Sequence, residues 1–274
     1  ETSPVRLSRE GEVIDAPLHL LLDTPRSAPL NMARDEALLD GFRAVLRRTA
    51  WRIPAATIGR FQAWSILEHP YLADIKSQHS GDQEPVGSLD PWLAPIRRIT
   101  GGGAIFHGTD LTLGWAATCP SPFFPDRSPT AIAGRAASAI LPAISEFHPG
   151  ARTRDGEFTE LAQRGVVDCF ARHTPFDLVV EHEDGAIEKV GGLAMHRRGD
   201  RVLVQASIRR GEHLTEDRDR QVLEGIAAAM GAGALEIEDL DPYEEDRSID
   251  LAHARYARHG WNRRRIPIRQ PTDS

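Results

Sequence analysis

Three consecutive glycines near the middle of the chain restrict its fold more than any other feature. The segment 97–108 reads RRITGGGAIFHG, with two arginines before the run and a histidine after it. A glycine run costs backbone entropy and has no side chains to pack, so it is kept where the backbone passes close to something or adopts positive φ. Bare amides beside fixed positive charge suit a phosphate, a carboxylate or an adenylate. A plain glycine turn between two strands is the alternative interpretation.

The composition is that of an ordinary globular protein and excludes several functional classes. Of the 274 residues, 41% are hydrophobic and 27% are charged, and the net charge is -7. This acidity argues against nucleic acid or an anionic membrane as the main partner. No apolar run approaches the ~20 residues of a membrane span, and we find no signal-peptide core. Two cysteines cannot make a disulfide framework, so we expect a reducing, cytoplasmic setting, and no histidine–cysteine spacing predicts a metal site.

Apolar periodicity predicts helices that lie between groups of strands and hairpins, which favours an α+β fold in a single domain. Gly191-Gly192 is expected to interrupt a strand, and residues 76–92 lack periodicity and predict a surface insertion. The predicted strands cover 19–23, 51–58, 111–116, 176–181, 186–190 and 201–208. The predicted helices cover 27–42, 129–147, 215–230 and 249–261, the first of them capped by Ser27 or Asn31.

Four motifs then occur in a fixed order along the chain. They are NMARDEALL at 31–39; IGRFQ at 58–62 with the glycine run and FHGTDLT at 106–112; DCF at 168–170 with FDLVV at 176–180; and EKVGGLA at 188–194 with VQASI at 204–208. Each motif alone is weak, but the ordered set is specific. From about residue 20 to residue 261 the chain resembles the lipoate–protein ligase and octanoyltransferase family, which is related to the biotin protein ligases.

The resemblance implies a central mixed or antiparallel β-sheet wrapped by helices. It implies a catalytic domain at 17–262 with peripheral tails at 1–16 and 263–274. The glycine run would line a slot for an acyl chain and its activated carboxyl end. The substrate-binding residues implied in this way are Arg97, Arg98, Thr100, Gly101, Gly102, Gly103, Ala104, His107, Gly191, Gly192, Ala194, Gln205 and Ser207.

The resemblance also implies two catalytic residues. Lys189 matches the lysine that family members place at the acyl carbonyl, where a cation stabilises negative charge on oxygen. Cys169 matches the nucleophile of the cysteine-dependent octanoyltransferases, because thiolates exchange thioesters readily. A buried structural cysteine is the alternative for Cys169 and the interpretation that we adopt for Cys119.

Three functions follow as hypotheses. The first is an acyltransferase that moves an octanoyl group from acyl carrier protein to Cys169, and then to a lysine of a lipoyl-domain protein or of the glycine cleavage H protein. It needs no cofactor. The second is an ATP-dependent lipoate–protein ligase that acts through lipoyl-AMP and needs Mg²⁺. The third is a non-catalytic relative that binds lipoate or a lipoyl domain. Because such acceptor domains are often acidic, a basic rim is expected; its candidates are Arg197, Arg198, Arg209 and Arg210, and a solvated hairpin face is the alternative interpretation of these residues.

Overall fold

A computed structural model of the chain describes residues 14–65, 95–154, 175–210, 215–237 and 239–264. The strands are β1 (Ile14–Leu22), β2 (Val45–Thr49), β3 (Ala55–Ile58), β4 (Ile96–Arg97), β5 (Ile105–His107), β6 (Asp110–Thr118), β7 (Arg152–Thr153), β8 (Leu178–Glu181), β9 (Ile187–Arg198), β10 (Arg201–Arg209) and β11 (Ala232–Ile237). The helices are α1 (Ala28–Asp40), α2 (Pro129–Ile144), α3 (Glu216–Ala229), α4 (Pro242–Leu251) and α5 (His259–Arg264). A π-helical turn at Ala252–Tyr256 follows α4.

The strands form one large and one small sheet. The large sheet has the order β11-β1-β2-β6-β10-β9-β8-β7, and the small one has the order β4-β3-β5. In the large sheet β1 pairs in parallel with β2 and β11, and all other pairs are antiparallel. The predicted fold class, α+β with a central mixed sheet and flanking helices, is confirmed.

Helices cover both faces of the large sheet, and strand alternation distributes the side chains between them. On β10, Val202 and Val204 pack in the core with α2 and α3, whereas Leu203 packs in the second core with α1 and α4. Successive strand residues point to opposite faces. Gln205 and Ser207 therefore share the face of Leu203, which is the face covered by α1.

Several element predictions were wrong in their bounds. The prediction missed β2, β4, β5, β7 and β11, because β4, β5 and β7 have only two or three residues, β2 carries two arginines and β11 is a largely exposed edge strand. Gly191-Gly192 does not interrupt the hairpin, since β9 runs through both glycines. The last helical region begins at Pro242 rather than 249, and Phe42 lies beyond the end of α1 with 89% of its surface exposed. Ser27 is the N-cap of α1 but accepts no side-chain hydrogen bond.

The predicted domain bounds differ slightly from the observed elements. β1 begins inside the segment predicted as an N-terminal tail, and α5 ends two residues beyond the predicted domain. The predicted insertion at 76–92 lies outside the described residues. No helix in the described part of the chain has the length and apolar character needed to cross a membrane.

Candidate active site

The glycine run joins β4 to β5 in the small sheet, beside the end of β3. A Cβ atom on Gly59 would lie 2.1 Å from the carbonyl oxygen of Gly102, so the two backbones make a contact that only glycine permits. Gly102 itself has a φ of 89°. Both reasons that we gave for a glycine run, close approach and positive φ, therefore occur here.

Arg98 orients the peptide groups of the run. Its Nη2 donates to the carbonyl oxygens of Gly101 at 2.9 Å and Gly103 at 2.8 Å. In a trans peptide the N–H points opposite to the C=O, so the amide of Gly102 points away from Arg98. The amides of Gly101, Gly102 and Gly103 have no hydrogen-bond partner among the described residues. These donors are available to an anionic or carbonyl oxygen.

Arg97 has a different set of contacts from Arg98. Its guanidinium donates to the carbonyl oxygens of Gly59 at 2.9 Å, Gln62 at 2.8 Å and Asn262 at 2.9 Å. These bonds connect the turn after β3 to α5, which gives Arg97 a structural role in holding the turn beside the run. A substrate contact of Arg97 stays a prediction.

A cleft lies between the small sheet and the face of β9 and β10. It encloses about 350 Å³ of empty space, including its open mouth. Gly192 and Ala194 on β9 pair with Ser207 and Gln205 on β10, so small residues on β9 leave room above the sheet. The lining residues are Met32, Arg98, Ile105, His107, Thr112, Gly192, Leu193, Ala194, Gln205, Ala206 and Ser207. Six predicted binding residues are thus brought together, namely Arg98, His107, Gly192, Ala194, Gln205 and Ser207. The other seven predicted binding residues are not in its lining, namely Arg97, Thr100, Gly101, Gly102, Gly103, Ala104 and Gly191.

A buried ion-pair network lies under Gln205. Gln205 Nε2 donates to Asp35 Oδ2 at 2.5 Å, and the hydroxyl of Thr100 donates to Gln205 Oε1. Arg47 binds the other oxygen of Asp35 at 2.5 Å and binds Asp23 Oδ2 at 2.8 Å through its Nε. The carboxylate of Asp23 offsets the cost of burying Arg47 and holds the pKa of this guanidinium above its ordinary value, although burial acts against it. This network fixes the orientation of the Gln205 amide.

A second buried carboxylate, Asp110, lies behind the opposite part of the cleft wall. Its Oδ2 accepts hydrogen bonds from Ser207 Oγ at 2.6 Å and Thr112 Oγ1 at 2.8 Å, and it lies 2.9 Å from His107 Nδ1. Burial alone would raise the pKa of Asp110, but the interaction with His107 and the three hydrogen bonds lower it to about 2. Asp110 is therefore ionised at neutral pH.

His107 is held on three sides. Its ring stacks on Trp51 with 4.3 Å between ring centroids, and its Nε2 lies 2.8 Å from Thr57 Oγ1. Arg98 Nη1 donates to the same Thr57 oxygen at 2.5 Å. A chain of hydrogen bonds therefore connects Arg98 through Thr57 and His107 to Asp110.

Lys189 forms a buried ion pair and does not line the cleft. Its Nζ lies 2.9 Å from Asp177 Oδ2, and both side chains are almost fully buried. Asp177 belongs to the FDLVV motif, so the structure brings two of the sequence motifs together. A catalytic role of Lys189 stays a prediction.

The two cysteines differ in what the structure describes. Cys169 lies outside the described residues, and its role as nucleophile stays a prediction. Cys119 is buried, its Sγ donates to the carbonyl oxygen of Asp126 at 3.3 Å, and burial raises the pKa of its thiol. These properties suit the structural role that we expected for Cys119.

Most of the arginines proposed for a basic rim have acidic partners. Arg198 pairs with Glu36 and Asp40. Arg209 lies 2.8 Å from Glu188, and Arg210 pairs with Asp219. Arg197 donates to the carbonyl oxygen of Arg127. The positive charge of this surface is therefore largely neutralised within the chain.

Sequence reasoning missed the residues that support the cleft wall. Asp35 lies in a helix and Arg47 in a strand, where charged residues are normally placed in solvent. Asp110 is the first residue of β6, and Thr57 lies within the short strand β3. One signal was present: Asp35 stands within the NMARDEALL motif, whose nine residues are all buried. No group of three or more metal-ligating side chains occurs in the part of the chain described here.

Comparisons with known proteins identify the fold. No protein family profile and no curated protein sequence matches the chain. Among solved structures, lipoate-protein ligase A bound with ATP matches with a TM-score of 0.64 and 20% identity, covering 91% of this chain and 99% of that one. Protein Ta0514 from Thermoplasma acidophilum with bound lipoic acid matches with a TM-score of 0.63 and 20% identity, covering 91% and 100%.

Two further structures agree with these. A bi-partite lipoate protein ligase, from a study that includes its E2 lipoyl domain from T. acidophilum, has a TM-score of 0.61 and 18% identity over 94% of this chain and all of that one. LipL1 from P. falciparum in complex with lipoate has a TM-score of 0.54 and 13% identity, covering 93% and 76%. The resemblance noted in the sequence is thus confirmed at the level of structure, and the chain has the fold of the lipoate–protein ligases.

Proposed function

We propose that this chain is an enzyme of protein lipoylation, which binds an octanoyl or lipoyl group in the cleft and transfers it to a lysine of a lipoyl-domain protein. The observation that carries the proposal is the cleft itself, with apolar walls at Met32, Ile105 and Ala194 and with Arg98 and the glycine amides near it. An acyl chain requires apolar walls, and its carbonyl or carboxylate oxygen requires donors at one end.

The similar structures support this choice of ligand and partner. One of them contains lipoic acid, another contains lipoate, and a third comes from a study of a ligase with its E2 lipoyl domain. We extend these ligands to this chain as part of the proposal. The glycine cleavage H protein is an alternative acceptor of the same chemistry.

For the donor we propose an octanoyl thioester on acyl carrier protein, with Cys169 as nucleophile. The Cys169 thiolate attacks the carbonyl carbon, a new C–S bond forms, and the carrier thiolate leaves. The amine of the acceptor lysine then attacks the Cys169 thioester. An amide forms, and the Cys169 thiolate leaves and takes up the proton that the amine loses. The sequence DCF before FDLVV supports this route, and a reducing cytoplasm would keep the thiol available.

Lys189 is the group that we propose to stabilise the carbonyl oxygen in both steps. A buried ammonium beside a developing negative charge acts in a low dielectric, where its effect is larger than in water. The ion pair with Asp177 supports this role because it compensates the burial of Lys189 before substrate arrives.

An ATP-dependent ligase is the second candidate, favoured by the similarity to a ligase structure bound with ATP. The donors beside the cleft fit this group as well, since Arg98 and the amides of Gly101, Gly102 and Gly103 would suit phosphate oxygens. ATP would supply the activation of a free acid as an acyl-adenylate. Mg²⁺ commonly binds through phosphates and one or two carboxylates, and so does not require a dedicated cluster.

The intact mass of the protein separates these candidates. The chain is incubated with octanoyl carrier protein, with and without ATP, and then with a lipoyl-domain acceptor. We expect one octanoyl group on the wild-type chain without ATP, none on Cys169→Ser, and one on the matched control Cys119→Ser. Octanoylation of the acceptor that requires ATP and free octanoate and survives Cys169→Ser would establish the ligase instead. Binding of octanoate with no transfer in either assay would leave the non-catalytic binder and refute the enzyme.

A further inference from the structure

Five side chains that line the cleft carry N–H or O–H groups: Arg98, His107, Thr112, Gln205 and Ser207. An exposed donor in such a wall would favour a bound group with a hydrogen-bond acceptor and would disfavour a plain hydrocarbon chain. The fate of each donor therefore determines what chemistry the cleft can accept.

The two hydroxyl groups give their hydrogens to the same buried carboxylate. Ser207 Oγ lies 2.6 Å and Thr112 Oγ1 lies 2.8 Å from Asp110 Oδ2. A hydroxyl has one hydrogen to donate. With that hydrogen directed at Asp110, neither Ser207 nor Thr112 has a donor left for a molecule in the cleft.

His107 is satisfied at both ring nitrogens. Its Nδ1 faces the Asp110 carboxylate at 2.9 Å and donates to it, since an ionised carboxylate only accepts. Its Nε2 is hydrogen-bonded to the hydroxyl group of Thr57, whose oxygen also accepts from Arg98. His107 therefore presents ring surface to the cleft and no free N–H.

Gln205 is satisfied in the same way by the second carboxylate. One Nε2 hydrogen goes to Asp35 Oδ2 at 2.5 Å, and the thioether sulfur of Met32 lies 3.8 Å from the same nitrogen. Its Oε1 accepts from Thr100. Asp35 cannot turn away from Gln205 without breaking its bond to Arg47.

We propose that Asp35 and Asp110 are specificity-determining residues: by accepting hydrogens of His107, Thr112, Gln205 and Ser207, they leave the part of the wall that these four side chains form without free donors, and this part selects an unsubstituted acyl chain over one bearing a keto group. The keto oxygen would lose its hydrogen bonds to water and gain none from this part of the wall. This inference rests on the proposed function for the identity of the bound group as an acyl chain.

The test compares the binding of octanoic acid and 6-oxooctanoic acid to the full chain by calorimetry. We expect the wild-type chain to prefer octanoic acid by about tenfold. Asp110→Asn leaves one acceptor oxygen for the donors of Ser207, Thr112, His107 and the Gly108 amide, which share two oxygens in the wild type, so a hydroxyl that loses its acceptor can turn into the cleft. The two acids should then bind with about equal affinity, because the keto oxygen can accept a hydrogen bond from a freed hydroxyl. Adding Ser207→Ala to Asp110→Asn should restore part of the preference.

The preference is a ratio measured within one protein, so a general loss of folded protein does not change it. Equal binding of both acids by the wild-type chain, absence of binding of either acid, or an unchanged ratio in Asp110→Asn would each overturn the proposal. If Asp110→Asn does not fold, the proposal is tested by the affinity of Ser207→Ala for octanoic acid. We expect its affinity for octanoic acid to stay within about twofold of wild type, and a tenfold loss would show that Ser207 donates to the bound acid instead.

The outcome also separates this inference from the proposed function. Selective binding of octanoic acid without any transfer in the mass assay would refute the enzyme and support the selectivity. Transfer to the acceptor with an unchanged ratio in Asp110→Asn would support the enzyme and refute the selectivity.

Discussion

Gly114 in β6 should be intolerant of even a methyl group. In the large sheet it is flanked by Arg47 on β2 and Gln205 on β10, and both of these side chains bind Asp35 directly above it. A Cβ atom on Gly114 would lie 2.5 Å from Asp35 Oδ1 and 3.0 Å from the carboxylate carbon. The carboxylate of Asp35 would have to move away from the new methyl group. This movement breaks the hydrogen bond of Asp35 to Arg47 or its hydrogen bond to Gln205.

The magnitude follows from these contacts. Overpacking a buried site costs about 1–3 kcal/mol, and losing one hydrogen bond to a charged group costs about 1.5–3 kcal/mol. We therefore expect Gly114→Ala to lower the free energy of unfolding by about 3–5 kcal/mol. Gly233 in β11 is the matched control, since a Cβ there would meet no atom within 4 Å, and Gly233→Ala should stay within about 1 kcal/mol of wild type.

Urea unfolding followed by far-UV circular dichroism measures both variants, and similar slopes against urea concentration would validate the comparison. A loss of less than about 1 kcal/mol in Gly114→Ala would refute the reasoning. It would mean that Asp35 does not lie over Gly114, and the support of Gln205 by Asp35 would then fail too.

Three further predictions concern buried polar groups. The first concerns Asp110, whose pKa is lowered to about 2 in the folded chain, so that its ionised form stabilises the fold at any pH above the unfolded pKa near 4. This contribution of about 2 kcal/mol is lost as the pH falls toward 2. The difference in unfolding free energy between wild type and Asp110→Asn should therefore shrink when it is measured from pH 6 to pH 2. Arg97→Met frees the carbonyls of the turn at 59–62, so amide hydrogen exchange there should accelerate, and unchanged exchange would contradict the structural role of Arg97. Tyr256→Phe removes a 2.7 Å hydrogen bond to buried Glu36; it should cost about 1–3 kcal/mol and raise the pKa of Glu36, which moves the acid limb of the stability curve to higher pH.

The sequence was sufficient for the fold class and for much of the cleft, because these depend on local patterns. Alternation identified β6 and β10. The glycine run was expected to need positive φ or a close backbone approach, and Gly102 has the positive φ and makes the close approach to Gly59. The resemblance that the ordered motifs carry also assigned the run, Gln205 and Ser207 to one binding site. Each of these inferences needed only residues close together in the chain, or their order along it.

The buried charges could not be predicted in the same way. In α1 the residues Arg34, Asp35 and Glu36 are fully buried, although a helix pattern read from apolar positions alone places them in solvent. They are stable there because their partners come from distant segments: Asp23 for Arg34, Arg47 for Asp35 and Tyr256 for Glu36. A buried charge is tolerated only with such partners, and pairing across the chain is not visible in one sequence.

Lys189 shows how one irregularity in a strand can decide the geometry of a site. Leu178 pairs with Gly191 but Val179 pairs with Lys189, so β9 has one extra residue, Val190, opposite β8. Val190 and Leu193 both pack against the core of α2 and α3 although three positions separate them. In a regular strand, positions three apart lie on opposite faces, and the bulge removes this conflict. Lys189 directly precedes Val190 in the strand, so its side chain lies on the opposite face of the sheet, which is the cleft face. Asp177 directly precedes Leu178 and lies on the same face as Lys189. A regular hairpin would direct Lys189 into the hydrophobic core, and the bulge is therefore what allows a lysine of this strand to be considered for chemistry in the cleft.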